Sequence, residues 1–178
     1  MLLLTGRPGV GKTTAIRAVA SGLSGRAVHG FYSEEIRRHG ERRGFRAVTF
    51  DGRKVTMARV GFPGPRVGKY GVDVETIDAL AESALALRRD RGVYLIDEIG
   101  KMECLSERFV AAVREILDST VQVVATVGLR GEGFIAEVKR RRDAELWEMT
   151  RENRDAMPSR VLEWVGGHPP STSTKLVL

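Results

Sequence analysis

The sequence has one cysteine, three histidines and no long hydrophobic run. A single cysteine cannot form a disulfide within the chain, which is typical of proteins from the reducing cytoplasm. His29, His39 and His168 lack the spacing of metal ligands. No apolar segment approaches the roughly 20 residues that cross a bilayer, and the short apolar start lacks the basic residues of a signal peptide. The sequence therefore predicts a cytoplasmic protein with no membrane partner.

Aromatic residues are also scarce, at 6% of the 178 residues, and the formal net charge is +6. Basic clusters occur at residues 37–38, 42–43 and 139–142. A basic surface attracts nucleic acids, but it equally attracts nucleoside triphosphates. Because neither interleaved aromatic residues nor a nucleic-acid-binding motif accompanies the clusters, they indicate solvated faces rather than an RNA or DNA site. The 42% hydrophobic content predicts one core and one domain, residues 1–178.

Strand and helix patterns alternate along the chain and predict an α/β fold with a mostly parallel sheet. The apolar periodicity predicts helices over residues 16–23, 75–89, 109–117 and 134–140, and a short helix after Pro158. Apolar runs predict buried strands at residues 1–5, 93–96, 121–127 and 144–149.

The segment after the first helix has a different pattern. Residues 31–36 and 45–50 are strand-like and flank a polar turn, and Asp51-Gly52 offers a tight turn into residues 55–58. We therefore expect an antiparallel β insert at about residues 30–60. The glycine- and proline-rich stretch 61–71 is predicted to be a loop.

A glycine-rich turn between the first strand and the first helix carries the strongest motif. The pattern G-x-x-x-x-G-K-[ST] of a P-loop is matched by Gly6, Arg7, Pro8, Gly9, Val10, Gly11, Lys12 and Thr13. Glycines let the backbone N–H groups turn inward around a phosphate, and the helix N-terminus adds positive potential. Lys12 can reach the β- and γ-phosphates, and the Thr13 hydroxyl can coordinate Mg²⁺. The motif predicts a site for a nucleoside triphosphate with Mg²⁺ as cofactor.

Two carboxylates follow the apolar strand 93–96. The carboxyl ends of parallel strands meet at one edge of the sheet, so Asp97 and Glu98 are expected beside the P-loop. We predict that Asp97 completes the Mg²⁺ site with Thr13 and that Glu98 is the base that positions a water against the γ-phosphorus. A strand that merely exits into solvent is the alternative, which a P-loop in the same chain disfavours.

Several segments together resemble the cancer-related nucleoside-triphosphatase family, namely residues 6–14, 30–37, 67–73, 97–103 and 150–154. The resemblance extends over nearly the whole chain. It implies a RecA-like, three-layer P-loop fold with an added antiparallel element, and slow hydrolysis of several nucleoside triphosphates to the diphosphate and phosphate. It also implies that nucleotide is bound by the P-loop residues above and by Val93, Tyr94, Leu95, Ile96, Asp97, Glu98, Ile99 and Gly100.

Three further side chains are candidates for contact with the nucleotide. Arg130 follows a strand and could stabilise charge as an arginine finger, although a solvated loop arginine is the simpler interpretation. Thr126 could sense the γ-phosphate, but a buried strand threonine is the simpler interpretation. Lys69 in its glycine-rich loop could approach the nucleotide or remain exposed.

The sequence leaves three functions open. Hydrolysis of ATP, GTP, CTP and UTP/TTP is favoured, since Glu98 beside Asp97 suits water activation and no base-selective pocket is evident. A small nucleoside or nucleotide kinase would need an acceptor pocket and an arginine-rich lid, for which residues 37–46 are the candidate. A nucleotide-controlled switch that docks to RNA or protein would bind nucleotide without turnover.

Overall fold

The computed structural model describes residues 1–88 and 90–167. Arg89, the predicted end of the second helix, and His168 lie outside the described residues. The strands are β1 (Leu2–Gly6), β2 (Val28–Arg38), β3 (Glu41–Thr49), β4 (Lys54–Val60), β5 (Arg66–Val67), β6 (Tyr70–Val72), β7 (Val93–Ile99), β8 (Gln122–Val127) and β9 (Glu145–Met149). The helices are α1 (Lys12–Gly22), α2 (Val74–Ala84), α3 (Glu107–Asp118), α4 (Gly133–Lys139) and α5 (Met157–Gly167), with a 3₁₀ turn at Glu103–Leu105.

The nine strands of the described residues form one sheet in the order β5-β6-β4-β3-β2-β7-β8-β1-β9. The last five strands of this order, β2, β7, β8, β1 and β9, pair in parallel. This confirms the predicted α/β fold with a mostly parallel arrangement around the P-loop strand. β8 lies between β1 and β7, so the P-loop strand and the strand of Asp97 are separated by one strand.

The alternation of side chains along each central strand builds a layer on both faces of the sheet. Leu2 and Leu4 pack in a buried cluster with α1 and α5. Leu3, between them, packs in the opposite cluster with α2 and α3. Helices therefore cover both faces, as the predicted three-layer fold requires. No helix in the described part of the chain is long and apolar enough to cross a membrane.

The antiparallel half of the sheet confirms the predicted insert after the first helix but is more extensive. β2 pairs with β3 from Phe31 to Arg38, and β3 pairs with β4. The prediction that residues 61–71 form a loop is wrong, because this stretch contains β5 and the start of β6. Val67 pairs with Tyr70 across a turn in which Gly68 has a φ of 59°. Glycine-rich composition suits a tight hairpin as well as a loop, so composition could not distinguish them.

Candidate active site

The P-loop joins β1 to α1 and wraps the N-terminal end of that helix. Gly11, the residue before α1, has a φ of 114°, which residues with a side chain rarely adopt. A Cβ on Gly6 would lie 2.5 Å from the Met149 carbonyl oxygen, so glycine permits the close approach of β9. Lys12 Nζ folds back over the loop and donates to the Gly6 carbonyl oxygen at 3.2 Å. The loop thus has the conformation of an anion-binding cradle.

Asp97 is held by donors from three separate elements. Thr13 Oγ1 at the start of α1 donates to Asp97 Oδ2 at 2.7 Å. Thr126 Oγ1 of β8 donates to Asp97 Oδ1 at 2.7 Å. Ser33 of β2 donates its backbone N–H to Asp97 Oδ2 at 3.3 Å and its hydroxyl to the Asp97 carbonyl oxygen at 2.8 Å. The side chain is therefore fixed in one orientation, with one carboxylate oxygen against Thr13.

Glu98 lies on the solvent side of Asp97 and faces the P-loop lysine. Its Oε2 is 3.4 Å from Lys12 Nζ, and its side chain remains 34% exposed while that of Lys12 is 10% exposed. Desolvation by the surrounding protein raises the pKa of Glu98, Lys12 lowers it, and Asp97 raises it further. The ammonium group of Lys12 and the partly exposed carboxylate of Glu98 thus lie in contact at this edge of the sheet.

The chemistry of this edge fits Mg²⁺. Thr13 and Asp97 present hydroxyl and carboxylate oxygens, which are the donors that Mg²⁺ prefers. Among the described residues, no group of three or more His, Cys, Asp or Glu side chains could hold a metal by itself. This is expected for an ion that also takes ligands from water and from the phosphates of its substrate.

Comparison with known proteins agrees with this geometry. Residues 1–162 match the model of a protein family described as NTPase. The chain belongs to this NTPase family. It is 39% identical to nucleoside-triphosphatase THEP1 of Thermotoga sp. (strain RQ2), over 90% of this chain and 92% of that protein. It is also 39% identical to the mouse cancer-related nucleoside-triphosphatase homolog, over 88% of this chain and 91% of that protein.

The fold of a solved relative is also similar. The crystal structure of THEP1 from Aquifex aeolicus superposes with a TM-score of 0.84 at 39% identity, covering 93% of this chain and 99% of that chain. The resemblance inferred from the sequence motifs is confirmed. The P-loop fold of a nucleoside-triphosphatase is thus established for this member of the NTPase family.

The three additional candidates, Thr126, Arg130 and Lys69, lie in different environments. Thr126 is fully buried and donates its hydroxyl proton to Asp97, so it orients the carboxylate. Arg130 is exposed in the turn after β8. Lys139 Nζ anchors that turn through the carbonyl oxygens of Gly128, at 3.3 Å, and Leu129, at 2.8 Å. A Cβ on Gly128 would lie 3.7 Å from Glu98 Oε1, so the turn borders the candidate base.

Lys69 is remote from these groups in the sheet order. It is exposed in the turn between β5 and β6, and its Nζ lies 5.6 Å from the centroid of the Tyr70 ring. β6 is separated from β1 by five strands. The structure therefore does not bring Lys69 to the P-loop.

Two functional neighbours were not assigned a role from the sequence. Ser33 lies in β2, which is distant from residue 97 in the chain, and only the pairing of β2 with β7 brings it against Asp97. Glu103 is 6% exposed, and its Oε2 lies 2.8 Å from the position that a Cβ on Gly100 would take, with Glu98 Oε1 3.2 Å from the same point. Burial is the largest cause, and the charges of Glu98 and Asp97 act in the same direction, so that the pKa of Glu103 is raised to about 8. At neutral pH, the buried carboxyl group of Glu103 is therefore uncharged and lies close to the candidate base, Glu98.

We predict that Glu103→Gln stabilises the fold at alkaline pH. In the unfolded chain Glu103 ionises near its ordinary pKa of 4.5, whereas in the folded protein it stays protonated up to about pH 8. The free energy of unfolding of the native protein therefore falls as pH rises through this window. Glutamine cannot ionise, so the stability of the variant relative to the native protein should increase with pH and level off at roughly 5 kcal/mol above pH 8. Urea unfolding at pH 5, 7 and 8.5 measures this advantage.

The exposed Glu107 supplies the control, because the same substitution there should leave the difference from the native protein constant with pH. Native and Glu103→Gln curves that run parallel from pH 5 to 8.5 would contradict the assignment of a neutral buried acid.

Proposed function

We propose that this protein is an Mg²⁺-dependent nucleoside-triphosphatase that hydrolyses ATP, GTP, CTP and UTP/TTP to the diphosphate and phosphate. The observation that carries the proposal is the convergence of Lys12, Thr13, Asp97 and Glu98 at one sheet edge. Membership of the NTPase family supports the reaction. We also propose a cytoplasmic location and a single domain for residues 1–178, in keeping with the composition.

The P-loop binds the triphosphate through its inward N–H groups and Lys12. In the structure Lys12 Nζ contacts Glu98 and the Gly6 carbonyl oxygen. Phosphate oxygens that take Lys12 as their donor replace the contact with Glu98, which leaves that carboxylate available to a water molecule. Substrate binding thus both neutralises the phosphate charge and frees the base.

Thr13 and Asp97 would hold the metal through their hydroxyl and carboxylate oxygens. Bound Mg²⁺ would supply charge neutralisation for the phosphates. Thr126 and Ser33 keep the Asp97 carboxylate in place, so no reorganisation of this side chain is needed when substrate arrives.

Glu98 orients the attacking water and accepts its proton. The water oxygen forms a bond to the γ-phosphorus while the bond from that phosphorus to the bridging oxygen of the β-phosphate breaks. The electron pair leaves with the diphosphate, and the proton from water goes to the Glu98 carboxylate. Release of phosphate from ATP with Mg²⁺, and its loss on addition of EDTA, tests the reaction directly. Absence of phosphate release from all four nucleotides would overturn it.

The kinase alternative is less well supported by the structure. Its candidate lid, residues 37–46, forms the ends of β2 and β3, where Arg42 and Arg37 are ion-paired with Glu35 at 2.8 and 2.6 Å. Arg46 is similarly paired with Glu34 at 2.8 Å. These arginines are thus already paired with carboxylates of the same hairpin, which disfavours a lid that closes on phosphates. Unchanged phosphate release on addition of nucleoside or nucleotide acceptors would exclude phosphoryl transfer to them.

We expect weak discrimination among bases. The contacts that the P-loop, Asp97 and Glu98 can make are to phosphate, metal and water, which are common to every nucleoside triphosphate. The values of kcat/KM for ATP, GTP, CTP and UTP should therefore fall within a range of about 10³. A wider spread, measured by phosphate release under identical Mg²⁺ concentrations, would require a base-selective pocket.

A further inference from the structure

The positions of Asp97 and Glu98 determine which way a bound triphosphate lies along the sheet edge. Both acids are on β7, and Thr13 and Lys12 contact them from the P-loop. The γ-phosphate must reach the metal and the activated water, so it lies on the β8 and β7 side of β1. The nucleoside is attached to the other end of the triphosphate. It therefore extends toward β9, on the opposite side of β1.

The segment that follows β9 is a closed turn over residues 150–156. Gly6 pairs with Met149, so the turn begins beside the first residue of the P-loop. Asn153 closes it, since its Oδ1 accepts from the Thr150 N–H at 2.9 Å and its Nδ2 donates to the Glu148 carbonyl oxygen at 2.8 Å. The Arg154 N–H also donates to the Thr150 carbonyl oxygen at 3.1 Å. The backbone of this turn is thus fixed without any ligand.

Buried side chains tie both ends of the turn to the P-loop. Met149 before it and Met157 after it are 2% and 0% exposed and belong to the same buried cluster as Val10 of the P-loop. The turn cannot move away from the phosphate cradle without opening this part of the core. The position of the turn beside the P-loop is therefore held by the core.

The turn presents two exposed arginines, Arg151 and Arg154, beside the exposed acids Glu152 and Asp155. The Arg154 guanidinium lies 3.5 Å from the carboxylate of the neighbouring Asp155. A guanidinium plane packs on the face of any base, and such contacts do not depend on which base is present. This property suits an enzyme whose other contacts are to phosphate and metal.

We propose that the turn of residues 150–156 is the nucleoside subsite, in which Arg151 and Arg154 contact the base of the bound nucleotide whatever its identity. The inference rests on the proposed function, since it takes the direction of the substrate from the roles of Asp97 and Glu98.

An aromatic pair near the metal site could in principle stack on a base, but it lies on the opposite side from the expected nucleoside. Tyr32 and Phe50 have ring centroids 5.7 Å apart, with the Arg17 guanidinium 5.1 Å from the Tyr32 ring. Ser33, the residue after Tyr32, contacts Asp97. These rings therefore belong to the β2 side of the metal site, away from the nucleoside end.

The experiment compares substrates that have a nucleoside with a probe that has none. The variant Arg151→Ala/Arg154→Ala is assayed by phosphate release with ATP, GTP, CTP and UTP, and inorganic tripolyphosphate is measured as a competitive inhibitor of ATP hydrolysis. Loss of two contacts of this type should raise KM for all four nucleotides by about tenfold. The inhibition constant of tripolyphosphate should change by less than about twofold, since it makes only the phosphate contacts.

Arg142→Ala is the matched control, because it removes an exposed arginine from the segment before β9. This segment lies at the amino-terminal ends of the parallel strands, opposite the P-loop. The control variant should leave KM and the tripolyphosphate inhibition constant unchanged. An equal rise for nucleotides and tripolyphosphate would overturn the proposal by showing that the arginines bind phosphate, and an unchanged KM would overturn it as well. Native protein that releases no phosphate in the same assay would refute the proposed function instead, so the two failures are distinguishable.

Discussion

Replacement of Lys12 by alanine is expected to abolish measurable nucleotide hydrolysis and to weaken binding of the Mg²⁺–nucleotide complex by about a hundredfold or more. Lys12 Nζ carries a full positive charge and lies 3.2 Å from the Gly6 carbonyl oxygen and 3.4 Å from Glu98 Oε2. A charge-assisted hydrogen bond of this type contributes roughly 1.5–3 kcal/mol, and Lys12 can make more than one to phosphate. The variant also leaves Glu98 facing the phosphates without a counter-charge. Both effects act against the bound state.

Equilibrium binding of a fluorescent ATP analogue, measured beside phosphate release, separates affinity from turnover. Lys54→Ala on β4 is the control, because it removes an exposed lysine from a strand on the antiparallel side of the sheet. It should bind and hydrolyse nucleotide normally. Nucleotide affinity within threefold of native for Lys12→Ala would show that the P-loop is not the triphosphate site.

The P-loop and the acids after residue 96 could be predicted because their chemistry is encoded locally. Gly6, Lys12 and Thr13 lie within eight consecutive residues, and Asp97 follows directly on an apolar strand. The order of strands places these two segments at one edge, as any parallel sheet would. The strand of Asp97 does not end where the acids begin, however. β7 continues to Ile99, since β8 still pairs with it there.

Two partners of Asp97, Thr126 and Ser33, could not be predicted as such, because they come from strands that are distant in sequence from β7. Thr126 reaches Asp97 only because β8 lies beside β7, and Ser33 only because β2 lies on the other side. A threonine in an apolar run has the same local pattern whether or not it donates to a carboxylate. The same holds for Glu103, whose burial depends on how the 3₁₀ turn packs behind Gly100.

For Arg130, the sequence predicted the position of the turn but not the side chain that holds the turn in place. The place of the turn after β8 followed from the strand pattern. Its anchor, Lys139, is nine residues farther along and was counted only as part of a basic cluster. One lysine of that cluster thus has a structural partner, which charge composition alone does not reveal. The role of Arg130 as an arginine finger remains a prediction.

Replacement of Glu98 by glutamine is the sharper test of mechanism, and we expect it to lower kcat at least about tenfold while affinity for the Mg²⁺–nucleotide complex stays within a few-fold of native. Glutamine keeps the shape and can still orient a water molecule, but it cannot accept the proton. Because the proposed metal ligands, Thr13 and Asp97, are untouched, the ground-state contacts to phosphate and Mg²⁺ should remain. The loss therefore falls on the transition state and should appear in kcat and kcat/KM alike.

Single-turnover phosphate release measures the chemical step of this variant separately from product release. Glu115→Gln, an exposed position on α3, makes the same chemical change outside the site and should turn over at the native rate. If Glu98→Gln hydrolysed ATP as fast as native protein, the water would have another base. The charge of Glu98 would then matter only through its contact with Lys12, and the reaction would depend on the cradle, the metal and the proximity that they enforce.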